Sequence, residues 1–213
     1  MNAIPRAGLH FYSEPGIITR LDRYSQFLDW LTCDVRAIFQ VVQGILIHDS
    51  WIERYGAPLD WSHEYEPKIA YMEDLLDKAL QLDPRSLAVS RVPEQRVVCC
   101  CREFATLFCA ILRYKGIPAR SRCVFGLYFA PGTFEDHWMC EVWDQRQERW
   151  IQVNPQIDPF QQSALKMDFS PLELPTGSFM IAGEAWKKCR RGEIAPMRCG
   201  ISCDPKEFGL ESL

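Results

Sequence analysis

The 213-residue sequence is short of several features that would announce a function. No apolar run approaches the roughly 20 residues needed to span a bilayer. The longest, around Ile45–Ile47, is broken by Gln43 and His48. Positive charge is not in surplus: 24 Lys and Arg against 28 Asp and Glu leave a net −4, with no electrostatic footprint for nucleic acid. The opening stretch, MNAIPRAGLHFYSEPG, has no basic start followed by an apolar segment, so no signal peptide is expected. Histidines number only 4, scattered at His10, His48, His63 and His137. Zinc ligands usually come as two close pairs. Cys199 and Cys203 make one such pair, with Cys189 upstream, but no second pair matches it. No Asp-rich loop resembles an EF-hand. The expectation is therefore no metal, no cofactor, no nucleic-acid partner and no membrane partner.

Cysteine, by contrast, is abundant, with 10 in the chain. Without export these are expected to be reduced thiols in the cytoplasm, most of them packed as small hydrophobes. With 47% hydrophobic and 24% charged residues, the chain has the composition of a globular protein with a real core. It reads as one α+β domain over residues 1–213. Residues 1–90 are mainly helical: one long or broken amphipathic helix over Ser25–Tyr55, interrupted near Gly44, and a second over Tyr65–Leu82, ended by Asp83-Pro84. Residues 97–158 mix one helix with strands. Residues 159–213 form a loop-rich tail with one short helix near Phe179–Arg190, whose KKCRR segment suits a helix C-terminus.

Three consecutive cysteines, Cys99, Cys100 and Cys101, precede a helical stripe of Phe104, Leu107, Phe108, Ile111 and Leu112, stopped by Gly116 and Pro118. Glu103 falls in the first turn. The triplet thus sits at a helix N-terminus, where free N–H groups and the dipole favour a thiolate and a developing oxyanion. Periodicity does not choose between Cys100 and Cys101. A thiolate nucleophile needs a base, and the base an orienting group. His137 opens an alternating strand with Met139, Glu141 and Trp143 on its face. Trp150–Asn154 forms a second strand, stopped by Pro155. If Trp143 pairs with Glu148 across a four-residue loop, Asp144–Gln147, then His137 faces Asn154 within hydrogen-bonding reach.

The segments CREFATLFCAILRYKGIPAR, DHW and W-x-x-V-N-P together resemble the core of the transglutaminase-like superfamily, of bacterial type, over Val97 to about Asp158. That resemblance implies a papain-like α+β core, with a nucleophile-bearing helix on an antiparallel sheet and a helical N-terminal part beside it. It also implies a Cys–His–Asp triad, here Cys101 as nucleophile, His137 as base and Asn154 where the family has Asp. A glycine expected shortly before the nucleophile is replaced by Cys99. An amide oxygen still accepts from imidazole N–H, as in Cys–His–Asn enzymes. Asp136 and Asp158 are weaker candidates to orient His137, and His48 is a further site candidate. The implied chemistry is acyl transfer from an amide or thioester carbonyl through an acyl-thioester, with protease, amidase or inactive interaction module as alternatives. The expected partners are a protein, peptide or carrier-bound acyl substrate and an amine acceptor. Trp51, Trp138, Trp143 and Trp150 are candidates to exclude water, and the N-terminal helices to wall a cleft.

Overall fold

The structure is a computed structural model that describes residues 6–56, 69–129 and 132–201. Seven α-helices and seven strands follow one another among these residues, with short 3-10 turns between. Helix α1 is Arg6–Ser13, α2 is Ser25–Leu28 and α3 is Val35–Ile45. Strand β1, Leu46–His48, leads into a 3-10 helix over Asp49–Tyr55, and α4 is Met72–Leu82. Then come β2 (Val97–Cys99), α5 (Cys101–Tyr114), β3 (Ala119–Gly126), β4 (Phe134–Asp144) and β5 (Arg149–Val153). The C-terminal part contains α6 (Pro159–Ala164), β6 (Phe179–Ile181), α7 (Ala182–Arg190) and β7 (Cys199–Gly200).

The helix expected over Ser25–Tyr55 is therefore three pieces, α2, α3 and the 3-10 turn, with β1 inserted after Ile45. Asp34 makes the break: its side chain accepts the Ala37 N–H at 2.7 Å and caps a fresh helix start. Gly44 stays helical but has a packing role, because a Cβ there would lie 3.1 Å from Ser90 Cα. Of the second expected helix, α4 matches from Met72 onward, while its first residues fall outside the described ones. Among its described residues the tail carries two α-helices rather than one. Phe179–Ile181 is a strand pairing with β3, and the helix begins only at Ala182. The KKCRR cations do end that helix, with Lys187, Lys188 and Arg190 in its last turn.

The main sheet runs β5-β4-β3-β6, antiparallel, with β7 joining β4 in parallel; β1 and β2 form a separate parallel pair. Helix α5 packs on one face through Phe104, Leu107, Phe108, Ile111 and Leu112, the stripe read from the sequence. Helices α3 and α4 close over it with Ile38, Val42, Ile45, Leu75 and Leu76, all fully buried. Each such side chain contributes about 1.5–3 kcal/mol relative to exposure. The other face carries a smaller cluster, Val124, Met139 and Leu174, flanked by Phe169 and Phe179. Thus β4 alternates as expected, with Cys140 and Val142 towards α5 and Met139 away from it.

The β4–β5 register differs from the sequence expectation. Trp143 pairs with Trp150 and Asp144 with Arg149, so the loop is Gln145–Glu148 and Asn154 is not directly opposite His137. Two local features set this. Asp144 Oδ1 accepts the Arg146 and Gln147 N–H groups, folding the turn back on its first residue. Glu148 adopts a left-handed φ of 49° and so cannot continue the strand. The displacement is by two positions, which preserves the faces.

Candidate active site

Cys101 is the first residue of α5. Cys100 precedes it as N-cap, and Glu103 closes a capping box: its Oε2 accepts the Cys100 N–H at 3.1 Å and the Cys100 S–H at 3.0 Å. Glu103 is 2% exposed, and Arg102 holds its other oxygen. A buried carboxylate already engaged by Cys100 therefore separates the two neighbouring thiols chemically. Cys99 is buried in β2, opposite His48 of β1. Burial drives the Cys99 thiol well above its ordinary value.

His137 lies in β4, 3% exposed. Its ring hydrogen-bonds the Asn154 side chain, and Nε2 is the buried ring nitrogen without a partner. With Nε2 unpartnered, Nδ1 is the ring nitrogen left to meet Asn154, and a proton held on Nδ1 leaves Nε2 as a lone-pair acceptor. Asn154 is fully buried just past β5. Its Oδ1 accepts the Gln156 N–H at 3.2 Å, and its Nδ2 donates to the Tyr128 hydroxyl at 2.6 Å. Continuing the observed register would set Asn154 across from Met139, one same-face position from His137. A diagonal neighbour of that kind is still within reach.

The sheet is interrupted at this spot. Strand β5 ends opposite Cys140, and β7 pairs β4 only at Phe134 and Glu135. Residues 136–139 of β4 are therefore uncovered along that edge. Here the Trp138 N–H bonds the Cys101 sulfur. Helix α5 lies on one face and His137 on the other, so the gap lets a helix-borne thiol approach the His137 side. The Cys101 sulfur is also within electrostatic reach of the Tyr128 hydroxyl and of Asp136.

The charges at rest differ from the sequence expectation of a helix-stabilised thiolate. The Cys100 contact and burial push the Cys101 thiol well above its ordinary value, and the Trp138 N–H only partly opposes them. Cys100 is pulled below its own ordinary value, chiefly by the thiol of Cys101. The two sulfurs share one hydrogen bond, so these shifts describe the pair. Its negative charge is opposed at Cys100 by the Glu103 carboxylate. Burial drops His137 from 6.5 to about 3; Asn154 counteracts this and His48 reinforces it. Both shifts favour the uncharged form of each group.

Other candidate residues have different occupations. Asp158 caps α6 through the Gln161 N–H at 2.8 Å and accepts the Tyr55 hydroxyl at 2.6 Å. Asp136 lies within reach of the Cys123 thiol at 3.8 Å. Neither orients His137. His48 bonds Asp49 at 2.8 Å and Ser50 at 2.9 Å, close enough to His137 to be felt electrostatically but not bonded to it. Trp51 packs on Phe160 and under Arg54. Trp143 and Trp150 meet edge to face, and Trp150 meets Tyr12 and Arg120. The rings around His137 are others: Phe129 with its centroid at 4.9 Å and Phe179 parallel at 6.2 Å. Tyr128 touches Phe129, Phe169 and Phe179. The sequence reading did not single out these residues; the adjacent Tyr128-Phe129, in the connection leading into the His137 strand, was the available signal. The N-terminal helices do wall a groove, of about 860 Å³, between α3 and residues 157–172, but none of Cys101, His137 and Asn154 lines it.

All nine cysteines among the described residues are free thiols. Cys189 and Cys199 contact each other, while Cys203 is outside the described residues. No group of three or more His, Cys, Asp or Glu side chains that could hold a metal gathers among the described residues. No helix among them is long and apolar enough to cross a membrane.

A thiol at a helix start, a buried imidazole in the adjoining sheet and an amide near that imidazole lie in a mixed fold of helices and antiparallel sheet. Residues 64–155 match the model of the transglutaminase-like superfamily. A crystal structure described as that of a "Putative Cysteine Protease" from Cytophaga hutchinsonii is similar at 13% identity, with a TM-score of 0.49. The match covers 84% of this chain and 48% of that one, so this chain spans about half its length. No curated protein matches.

Proposed function

We propose that this protein is a cysteine-dependent acyl-transfer enzyme that works through an acyl-thioester on Cys101. The observation that carries the reading is the buried Nε2 of His137. Buried polar atoms without partners are rare in folded proteins, and this one sits on an imidazole whose other nitrogen is held by Asn154. Such a nitrogen offers a free lone pair to an incoming proton; because burial disfavours the charged ring, the proton arrives only as negative charge develops on the attacked carbonyl.

Cys101 rather than Cys100 is the proposed nucleophile. The Cys100 S–H donates to Glu103, whereas the Cys101 sulfur meets the Trp138 N–H one residue from the base. As the sulfur forms a bond to the carbonyl carbon of an amide or thioester, its proton passes to His137 Nε2. Collapse of the tetrahedral adduct breaks the bond to the leaving amine or thiol, which takes that proton. An amine then attacks the thioester, gives its proton back through His137, and regenerates the Cys101 thiol. Asn154 keeps the Nδ1–H tautomer throughout. The rings of Phe129, Phe179 and Tyr128 favour an amine over water by keeping the thioester dry. The substrate class is a protein, peptide or carrier-bound acyl group.

The test uses p-nitrophenyl acetate as acyl donor with rising concentrations of small primary amines. Mass spectrometry should find the acetyl group on Cys101, Cys101→Ala should abolish it, and the amide product should grow with amine. An adduct on Cys100 would overturn the choice of nucleophile. A product that stays hydrolytic at saturating amine would make the protein a hydrolase.

A further inference from the structure

We infer that Tyr128 is a positioning residue for the His137 imidazole, holding the Asn154 amide in the one orientation that presents oxygen to Nδ1. The inference rests on the triad reading above and extends it by a residue that neither the sequence motifs nor the superfamily match assigns.

Asn154 is fully buried, so both ends of its amide need partners inside the protein. An Asp at this position would need only donors. An Asn also brings an NH2 that must find an acceptor. The Tyr128 oxygen is that acceptor, at 2.6 Å from Nδ2. The Gln156 N–H, an obligate donor, occupies Oδ1 from the backbone side at 3.2 Å. Together they make the amide's two ends chemically distinct. Rotated by half a turn, the amide would set NH2 against the Gln156 N–H and against Nδ1–H. It would then favour the tautomer that protonates Nε2 and blocks its use as a base.

The phenol is itself held. Its ring meets Phe129 at 4.4 Å, Phe179 at 5.3 Å and Phe169 at 5.5 Å between centroids. Two of those rings also contact the imidazole. One aromatic cluster therefore fixes the imidazole by its faces and, through Tyr128 and Asn154, by its Nδ1 edge. A hydroxyl can also donate, so Tyr128 suits either Asn or Asp at position 154.

The experiment is nitrogen NMR of the full chain labelled with 15N-histidine, with the His137 signals assigned from a His137→Gln spectrum. The wild-type protein should show a protonated Nδ1 and a bare Nε2. Tyr128→Phe should move both resonances towards a tautomer mixture and lower turnover about ten-fold with KM unchanged. If Tyr128→Phe loses stability but keeps the wild-type ring-nitrogen shifts, Tyr128 is only structural and the inference is overturned. Should that variant not fold, 3-fluorotyrosine at position 128 weakens the acceptor without changing shape. The same resonances should then shift, and unchanged resonances would overturn the inference. A wild-type chain with no acyl transfer but a Tyr128-sensitive tautomer would defeat the proposed function and leave the positioning role standing.

Discussion

His137 should make the protein sensitive to acid in a quantity that can be calculated. In the unfolded chain an imidazole takes a proton near pH 6.5, whereas burial in β4 delays this to about 3. Above pH 6.5 neither state is protonated there, and the group contributes nothing to pH dependence. As the pH falls below 6.5 the unfolded state binds a proton that the folded state refuses, so stability drops. The penalty is complete only below about pH 3. At about 1.4 kcal/mol per pH unit, the interval from 6.5 to about 3 amounts to about 5 kcal/mol. A domain of this size is expected to have only about 5–15 kcal/mol in total, so this single ring decides much of its acid tolerance. The assay compares urea unfolding of the wild type with His137→Gln, which keeps a polar side chain but cannot titrate. Their difference should be flat above pH 7, then narrow in slope by about 1.3 kcal/mol for each unit between pH 5.5 and 4.5. A difference that stays level through that range would mean that His137 is protonated, or solvated, in the folded protein.

Asn154→Ala should lower turnover by about one to three orders of magnitude through lost imidazole positioning, while Asn154→Asp should remain active; acyl transfer measured on both variants checks this. Alkylation of Cys101 by iodoacetamide, followed by peptide mass mapping, should keep accelerating beyond pH 9, because its thiol lies well above its ordinary value; a plateau near neutral pH would instead reveal a thiolate–imidazolium pair. Gly126→Ala should cost about 1–3 kcal/mol in denaturant unfolding, since the new Cβ would lie 2.6 Å from Phe129, and His137 should titrate closer to its ordinary value once that ring is displaced. Arg91→Met should cost about 3 kcal/mol or more in the same assay, because the buried guanidinium donates to the carbonyls of Asp83, Arg85, Ser86, Leu87 and Val89.

What the sequence revealed follows the range of each signal. Helix α5 was legible because its stripe, first-turn acid and terminal Gly116 all act within a few residues. Strands β4 and β5 were legible from alternation, but their register was set by the left-handed Glu148, a residue type that rarely announces such a turn. Asn154 still reached His137 because a two-position displacement keeps a side chain on its face. Helix α6 had a readable start in Asp158-Pro159, a cap followed by a proline at the first turn. Strand β6 did not, since three residues carry too little alternation to be told from a helix start. The aromatic cluster at the imidazole was hidden for another reason. Tyr128, just past β3, meets Phe179 because β6 pairs with β3, and meets Phe169 from the loop before β6, a tertiary arrangement that no local periodicity encodes.

The break in pairing along β4 also has a dynamic side. On that edge, the Trp138 amide is held by a sulfur, a weak acceptor, while strand pairing resumes at Glu135 on one side and Cys140 on the other. Opening of the sheet can therefore begin at the nucleophile and stay there, without unzipping β5 or β7. The Trp138 amide hydrogen becomes a built-in gauge of what the sulfur is bonded to. Its exchange with solvent follows the state of Cys101, while amides deeper in β4 follow the stability of the whole domain.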